Sequence, residues 1–428
     1  MASETGAPGA TQPQNLIPEE LRKEHDPNNK DVLARDPTYF HYYSLLTHQQ
    51  NMLQDAVRTS TYQRAILQNP DLYMNKLVMD VGAGSGILSY FAVQAGASVI
   101  AIEASNMALK MNKLIAASAL PGDSAKNPWL KDRIQVINKK IEDVHLPCKV
   151  DTIISEPIGV MLVHERMLES FIVARDRFLK PGGAMVPSQG SIYLCPFTDA
   201  ALWSETMSKA RFWEQTAFYG VDLTPLRADA RDEMFSMPVV GYFDANSLMA
   251  TPVPHEAFPI DFNTITLDEL KSFRVPFSWV AKYTGVMHGL ASWFDLFFTA
   301  PPSIPADRKL DIVMSTGPHA ERTHWQQARL LLNEPLAVNV GQVIRGWLDF
   351  NVNTMRSYDI SGSLELLSTS PSGETLVVAT RTGEWGLQEQ TYNYSYLGPL
   401  GTEFKPEQLG LYESLLPSSN ADSFSNMS

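Results

Sequence analysis

Cysteine is nearly absent from this chain of 428 residues: Cys148 and Cys195 are its only two. That scarcity argues against a disulfide-stapled secreted framework and against a Cys-rich zinc site, and no metal is expected. Long apolar runs are missing as well. No segment approaches the ~20 residues of a membrane span. Met1 to Asn15 is rich in Ala, Gly, Pro and Thr and lacks the basic start and apolar run of a signal peptide. A soluble intracellular chain with no membrane partner is expected. Positive charge is the third shortage: 34 Lys and Arg face 47 Asp and Glu, a net −13. Gripping phosphates needs clustered basic side chains, so no direct nucleic-acid binding is expected. The balance suits a cationic partner, although an acidic surface is also an ordinary solubility device.

Core material, by contrast, is plentiful. A hydrophobic fraction of 44% and an aromatic fraction of 10% rule out wholesale disorder, and the length suggests two or three domains. Residues 1–35 are polar and punctuated by Pro and Gly, and read as a mobile leader. From Pro37 to Asn69 the pattern is helical, with a break expected at Ser60 and Thr61. Strands at 76–81, 98–103, 134–138 and 151–155 then alternate with helices at 87–95, 107–119 and 167–179, the last ended by Pro181-Gly182-Gly183. This alternation implies a parallel sheet covered on both faces. After Pro187 short β-like runs dominate, for example around 191–194, 293–299, 343–351 and 364–368, which suggests an appended antiparallel barrel or sandwich. A helical insertion at 199–244 interrupts it. Residues 386–428 read as a frayed tail.

Two segments carry chemistry. Asp80-Val81-Gly82-Ala83-Gly84-Ser85-Gly86 leaves a strand and opens a helix, and glycines let backbone approach a bound nucleoside. Glu103, at the end of the next strand, stands where a carboxylate can take both ribose hydroxyls. The G-x-G-x-G spacing lacks the pyrophosphate fingerprint of dinucleotide sites, which favours S-adenosylmethionine. A structural turn beside a surface Glu is the plain alternative. The second segment runs from Ser155 to Ser170 and starts at a strand end, where ligands sit in open α/β sheets. Pro157 and Gly159 would fold it back so that Glu156 and Glu165 converge. Paired carboxylates suit guanidinium, a planar cation with a fork of donors. The alternative is a solvated acidic loop. From Glu142 to Glu169 six acids stand against two bases, Lys149 and Arg166.

Taken together, these residues resemble the protein arginine N-methyltransferases. Glu156 to Ser170 is similar to their double-glutamate loop, Thr323-His324-Trp325 to their Thr-His-Trp loop, and Tyr39-Phe40-His41-Tyr42-Tyr43 to the Tyr-Phe helix that folds over the cofactor. The resemblance covers about residues 35 to 370, and its wording is closest to the coactivator-associated type I enzyme. It implies a Rossmann-like S-adenosylmethionine-dependent domain (36–186) followed by a β-barrel domain (187–385), whose helical arm (199–244) docks onto a second subunit. Homodimerisation is therefore expected, with the apolar Trp203, Met207, Phe212, Trp213, Phe218 and Tyr219 seeking a partner surface.

Position by position, the resemblance implies that Arg58 pairs with the methionine carboxylate of the cofactor and that Gly82 and Gly84 line it. Glu103 would hold the ribose and Glu142, with Asp143, would lie near the adenine. Tyr39, Phe40, Gln49, Met52 and Ser170 would complete the cofactor wall. Glu156 and Glu165 would clamp the acceptor arginine, His324 would bond to Asp55, and Tyr43 and Trp325, with Tyr39, would wall the arginine channel. Plain alternatives remain: a surface pair for Arg58, core packing for Met52, His324 and Trp325. The implied activity is mono- and asymmetric dimethylation of arginine in proteins such as histone H3, in nucleus and cytoplasm. A methyltransferase for small molecules or nucleic acid is the second reading, and a non-catalytic dimeric scaffold the third. Val160 stands where animal members commonly carry Tyr, and 121–129 lengthens a loop that the family keeps shorter. Only the leader precedes the Tyr-Phe helix, so the extra N-terminal folded domain of the animal coactivator-associated enzymes is expected to be absent.

Overall fold

The computed structural model describes residues 37–253, 257–370 and 372–393. The leader at 1–35 and the tail from 394 onward lie outside the described residues. Three helices come first: α1 (Pro37–Tyr43), α2 (Leu46–Gln54) and α3 (Ala56–Leu67). The break expected at Ser60 and Thr61 falls instead at Asp55, which caps α3 by accepting a bond from Arg58 N at 2.9 Å. Aspartate at an N-cap satisfies an orphan helix donor, whereas Ser60 Oγ bonds back to Val57 O and stays inside the helix.

The α/β half follows, with β1 (Leu77–Val81), α4 (Ile87–Gln94), β2 (Ser98–Ile102), α5 (Met107–Ala116), β3 (Ile134–Ile137), β4 (Val150–Ser155), α6 (Met167–Phe178) and β5 (Leu179–Val186). Its sheet is parallel, in the order β3-β2-β1-β4-β5. Every residue of β1 and β2 is buried, because helices cover both faces. The turn expected at Pro181-Gly182-Gly183 is a correction: those residues lie inside β5, where the register against β4 slips between Val150 and Thr152. An edge strand tolerates Pro and Gly at such an irregularity. The 121–129 loop carries one-turn helices at Gly122–Ser124 and Pro128–Leu130 and lies largely exposed.

The second half holds β6 (Gln189–Phe197), α7 (Ala200–Arg211), α8 (Arg227–Ser236), β7 (Val239–Gly241), β8 (Phe258–Asp261), α9 (Leu267–Lys271), β9 (Ser272–Val280) and β10 (Gly285–Phe298). It continues through β11 (Ile312–Ser315), β12 (Gln327–Val338), β13 (Val343–Val352), β14 (Tyr358–Thr369), β15 (Thr375–Gly386) and β16 (Thr391–Tyr392). One sheet runs β16-β7-β12-β10-β6-β8 with β11 beside β10, and the other β15-β14-β13-β9. All pairings are antiparallel except β16 on β7. A ring stack joins the two sheets into a barrel-like core, Phe258 of β8 on Phe273 of β9 at 5.7 Å, and Phe273 stacks in turn on its sheet neighbour Phe350 at 4.8 Å.

Two expectations change here. Residues 386–393, read as the start of a frayed tail, belong to the barrel: Leu387 is fully buried and Thr391–Tyr392 pairs with Val239–Val240. In the arm, Trp203 Nε1 donates to Leu332 O of β12 at 2.9 Å and Met207 is buried, so both pack at home rather than seek a partner. Phe212, Phe218 and Tyr219 stay exposed, Tyr219 at 94%.

Candidate active site

The order of the α/β sheet reverses at β1, whose neighbours are β2 on one side and β4 on the other. The crevice outside the carboxyl ends of such strands is where open α/β sheets take ligands. Here it receives the glycine turn from β1, Glu103 from β2 and Glu156 from β4. Gly84 and Gly86 have φ of +55° and +95°, which side chains with a Cβ rarely adopt. A Cβ on Gly84 would lie 2.7 Å from Gln49 Oε1, so the turn and α2 touch without room to spare. Gln49 Oε1 accepts from Ser85 N at 2.9 Å, and its Nε2 donates to Tyr43 O at 3.1 Å. Glu103 accepts one backbone bond on each oxygen, from Gly84 N and Ser105 N, both at 2.7 Å. Burial pushes its carboxyl above the usual value, and hydrogen bonds from the Ser105 side chain and from those two backbone groups hold part of the rise back. The carboxylate is thereby fixed at the cavity wall, where it can accept from vicinal hydroxyls.

Glu156 follows β4 directly. Its Oε2 accepts from Arg58 Nη2 at 2.6 Å and from Nε at 3.0 Å, and both side chains are buried. Burial opposes the Arg58 charge, and Glu156 overcomes that and raises its pKa. The pair is thus an internal guanidinium–carboxylate contact that the sequence does not announce. Arg58 Nη1 donates to Met52 O at 3.3 Å. Three of its five N–H groups are spent, and two remain for an anion among the described residues.

Glu165 sits further along the same loop at φ +71°, beside Arg166 at +58°. Tyr43 donates to Glu165 Oε2 at 2.6 Å. Burial pushes the Glu165 carboxyl up, and the charge of Glu156 adds to that. Hydrogen bonds from Tyr43 and Tyr39 and the charge of Arg356 oppose the rise. Tyr39 and Tyr43, buried beside this carboxylate, are held well above the usual phenol value and stay protonated donors.

The second half contributes its loop before β12. His324 Nδ1 lies 2.7 Å from Asp55 Oδ2, which also accepts from His324 N at 2.8 Å. Burial opposes ionisation of Asp55, but the bonds from His324 and Arg58 outweigh it and hold the carboxyl below its usual value. The contact holds the ring through Nδ1 and leaves Nε2 as the nitrogen not engaged by Asp55. Trp325 is buried, and its Nε1 donates to Ile158 O at 2.9 Å, pinning the glutamate loop. Ser170 Oγ donates to Glu142 Oε1 at 2.7 Å.

All of these meet in one cavity of about 710 Å³. Every candidate residue except Asp55 lines it: Tyr39, Phe40, Tyr43, Gln49, Met52 and Arg58 from the helices, Gly82, Gly84, Glu103, Glu142, Glu156, Glu165 and Ser170 from the α/β half, and His324 and Trp325 from the barrel half. Asp55 stands behind His324. Val160 also lines the cavity, as does Tyr392 from the supposed tail. Behind the glycine turn, Asp80 is fully buried, its Oδ2 accepts from Ser89 Oγ at 2.7 Å, and burial pushes it up to about 7. Among the described residues no group of His, Cys, Asp and Glu is arranged to hold a metal ion, and no helix is long and apolar enough to cross a membrane.

Comparison with known proteins agrees with this arrangement. Residues 21–186 match the family described as PRMT5 arginine-N-methyltransferase, and residues 188–370 match the arginine methyltransferase oligomerization subdomain. The "Probable histone-arginine methyltransferase 1.4" of Arabidopsis thaliana is 42% identical over 383 residues, covering 89% of this chain and 69% of that protein. The chain belongs to the protein arginine methyltransferase family. "Probable histone-arginine methyltransferase 1.3" of the same plant is 43% identical over 370 residues, 86% of this chain and 66% of the relative. "Histone-arginine methyltransferase CARMER" of Drosophila persimilis is 45% identical over 332 residues, 77% and 59%. The chain thus spans about two thirds or less of the length of most of these arginine methyltransferases. Among solved structures, Arabidopsis thaliana protein arginine methyltransferase 10 superposes with a TM-score of 0.70 at 29% identity, covering 81% of this chain and 99% of that one. The Trypanosoma brucei PRMT1 enzyme-prozyme heterotetrameric complex with AdoHcy gives 0.66 at 27% identity, with the same coverage.

For a member of this family, the sequence left three site features unread. They are the Arg58–Glu156 pair, the Ile158 carbonyl that receives Trp325, and Arg356, which lines the cavity from the turn after β13. None has a motif. Each arises where chain segments far apart in sequence meet.

Proposed function

We propose that this chain transfers methyl groups from S-adenosylmethionine to the guanidino nitrogens of arginine in proteins, histone H3 among them. One observation carries this: two half-buried glutamates from one loop line the same cavity as a glycine turn with an anchored acid. The residues fit the cofactor. Glu103 is anchored at the cavity wall as an acceptor for hydroxyls, and Arg58 keeps two N–H groups for a carboxylate. Bound there, S-adenosylmethionine would supply a methyl group on a positively charged sulfur. The relative solved with AdoHcy supports the choice of cofactor.

This chain's own residues do the rest. Glu156 and Glu165 accept N–H bonds from the acceptor guanidinium, orient one nitrogen toward the methyl and draw positive charge toward the others. Arginine's high pKa makes its nitrogens poor nucleophiles, so positioning supplies most of the acceleration. As the nitrogen–carbon bond forms and the sulfur–carbon bond breaks, one guanidinium proton must leave, and His324, held by Asp55 and lining the same cavity as the two glutamates, is the proposed acceptor. Met52 and the Thr-His-Trp loop support an asymmetric dimethyl product. The exposed aromatics of the arm (Phe212, Phe218 and Tyr219) support a homodimer, and the matched oligomerization subdomain supports the same. Nucleus and cytoplasm are the proposed sites of action.

Incubation of the purified chain with S-adenosylmethionine and histone H3 should yield mono- and asymmetric dimethylarginine by mass spectrometry. Glu156→Gln, which keeps an acceptor for Arg58, should lower kcat by at least about a hundredfold while calorimetric cofactor binding persists. Full activity in that variant would sink the mechanism.

A further inference from the structure

The turn between β13 and β14, residues 353–357, carries no recognisable motif, yet it touches three consecutive residues of the glutamate loop. Arg166 Nη1 donates to Asn353 O at 2.9 Å. His164 Nδ1 and Ser357 Oγ are 2.9 Å apart, and Ser357 is fully buried. Between them, Arg356 Nη2 reaches the Glu165 carbonyl oxygen at 3.5 Å, a long hydrogen bond. Burial pulls His164 down to about 4, so its bond to Ser357 is neutral at physiological pH. The guanidinium of Arg356 then extends over α1, 4.2 Å from the Tyr39 ring centroid and 5.9 Å from that of Phe40. Lys140 approaches the same Phe40 ring at 5.0 Å.

The left-handed backbone at Glu165 and Arg166 persists only where surrounding structure holds it. On the barrel side, this turn does the holding. From these contacts we infer that Arg356 is a positioning residue: it seats the Tyr39–Phe40 helix against the Glu165 loop, so that cofactor cover and substrate clamp form as one unit. The inference rests on the functional reading above and assigns a task to a residue that no motif marks.

Its geometry also places a positive charge beside the clamp. The groups that face Glu165 are Tyr39 and Tyr43 from α1, Glu156 from its own loop with Arg58 from α3 behind it, and Arg356 from the barrel turn. Arg356 opposes the upward push of burial on Glu165, so its removal shifts the carboxylate toward protonation.

The test compares Arg356→Gln with Arg356→Lys in the full chain. Calorimetry with S-adenosylhomocysteine needs no turnover. Loss of the cation over Tyr39 should weaken binding about tenfold in Arg356→Gln, and Arg356→Lys should recover most of it. In turnover of a histone H3 peptide, the acidic limb of the kcat profile should move to higher pH in Arg356→Gln and stay in place in Arg356→Lys. Wild-type affinity together with an unmoved acidic limb in Arg356→Gln overturns the inference. If Arg356→Gln does not fold, Arg356→Met carries the same two readouts. A wild-type chain that binds the cofactor without methylating arginine removes the functional reading, and the calorimetric comparison then decides the inference by itself.

Discussion

Asp80 is the residue whose environment conflicts most sharply with its chemistry. It sits fully buried near the end of β1, bonded through one oxygen to Ser89, while Oδ1 has no hydrogen-bond partner among the described residues. Burial raises its carboxyl from 3.8 to about 7. Between those two values the folded chain binds a proton that the unfolded chain has released, so this group's contribution is complete below the lower value and is lost as pH rises toward the upper one. Stability should therefore fall across that window by up to roughly 1.4 kcal/mol per pH unit from this group. Asp80→Asn should flatten that slope in urea unfolding measured at a series of pH values. A slope unchanged by the substitution would place the titrating group elsewhere. Asp55, held below the usual carboxylate value, acts in the opposite sense, and its contribution is lost only as pH falls through its own lowered pKa.

At the scale of elements, the glycine turn shows how little freedom the site has. Gly86 begins α4 at φ +95°, and a Cβ there would lie 2.6 Å from Tyr90 Cζ and 2.8 Å from Met111 Cε. Gly86→Ala should cost roughly 2 kcal/mol in chemical denaturation, since strained backbone and displaced Tyr90 add together. Much of this half could be read from the sequence, because a sheet buried on both faces writes itself as continuous apolar runs such as Leu77–Val81 and Ser98–Ile102. Strand β5 escaped because Pro181-Gly182-Gly183 has the chemistry of a stop, and only pairing with β4 reveals it as an edge irregularity. The break before α3 was misplaced for a similar reason: Asp55 earns its capping role through partners, and two of the three groups bonded to its carboxylate come from His324, 269 residues away. The cavity's individual residues were legible where a motif is local, as at Gly82–Gly86 or Glu156–Glu165. Arg356 was not, because its meaning lies wholly in what it reaches across space.

For the whole molecule, the arm offers a surface to the proposed homodimer. Trp203 and Met207 are already spent on the barrel, and the exposed Phe212, Phe218 and Tyr219, with Val221 and Leu226, are the surface that the proposed second copy would cover. A chain doubly substituted at Phe218→Ala and Tyr219→Ala should show half the wild-type mass by light scattering at micromolar concentration. If both proteins have the mass of one chain, the arm has no such partner.

The two bonds that carry the barrel's Thr-His-Trp loop into the cavity, His324 to Asp55 and Trp325 to Ile158, have a consequence for cohesion. A ligand seated between them touches two folding units at once, so its binding energy is also mortar between them. At a hundredfold excess over its Kd such a ligand adds about 2.7 kcal/mol to the joined state. Under the proposed function the seam between the halves should tighten when methyl donor is abundant and slacken when it is scarce, so that the heat resistance of the molecule would gauge its own supply.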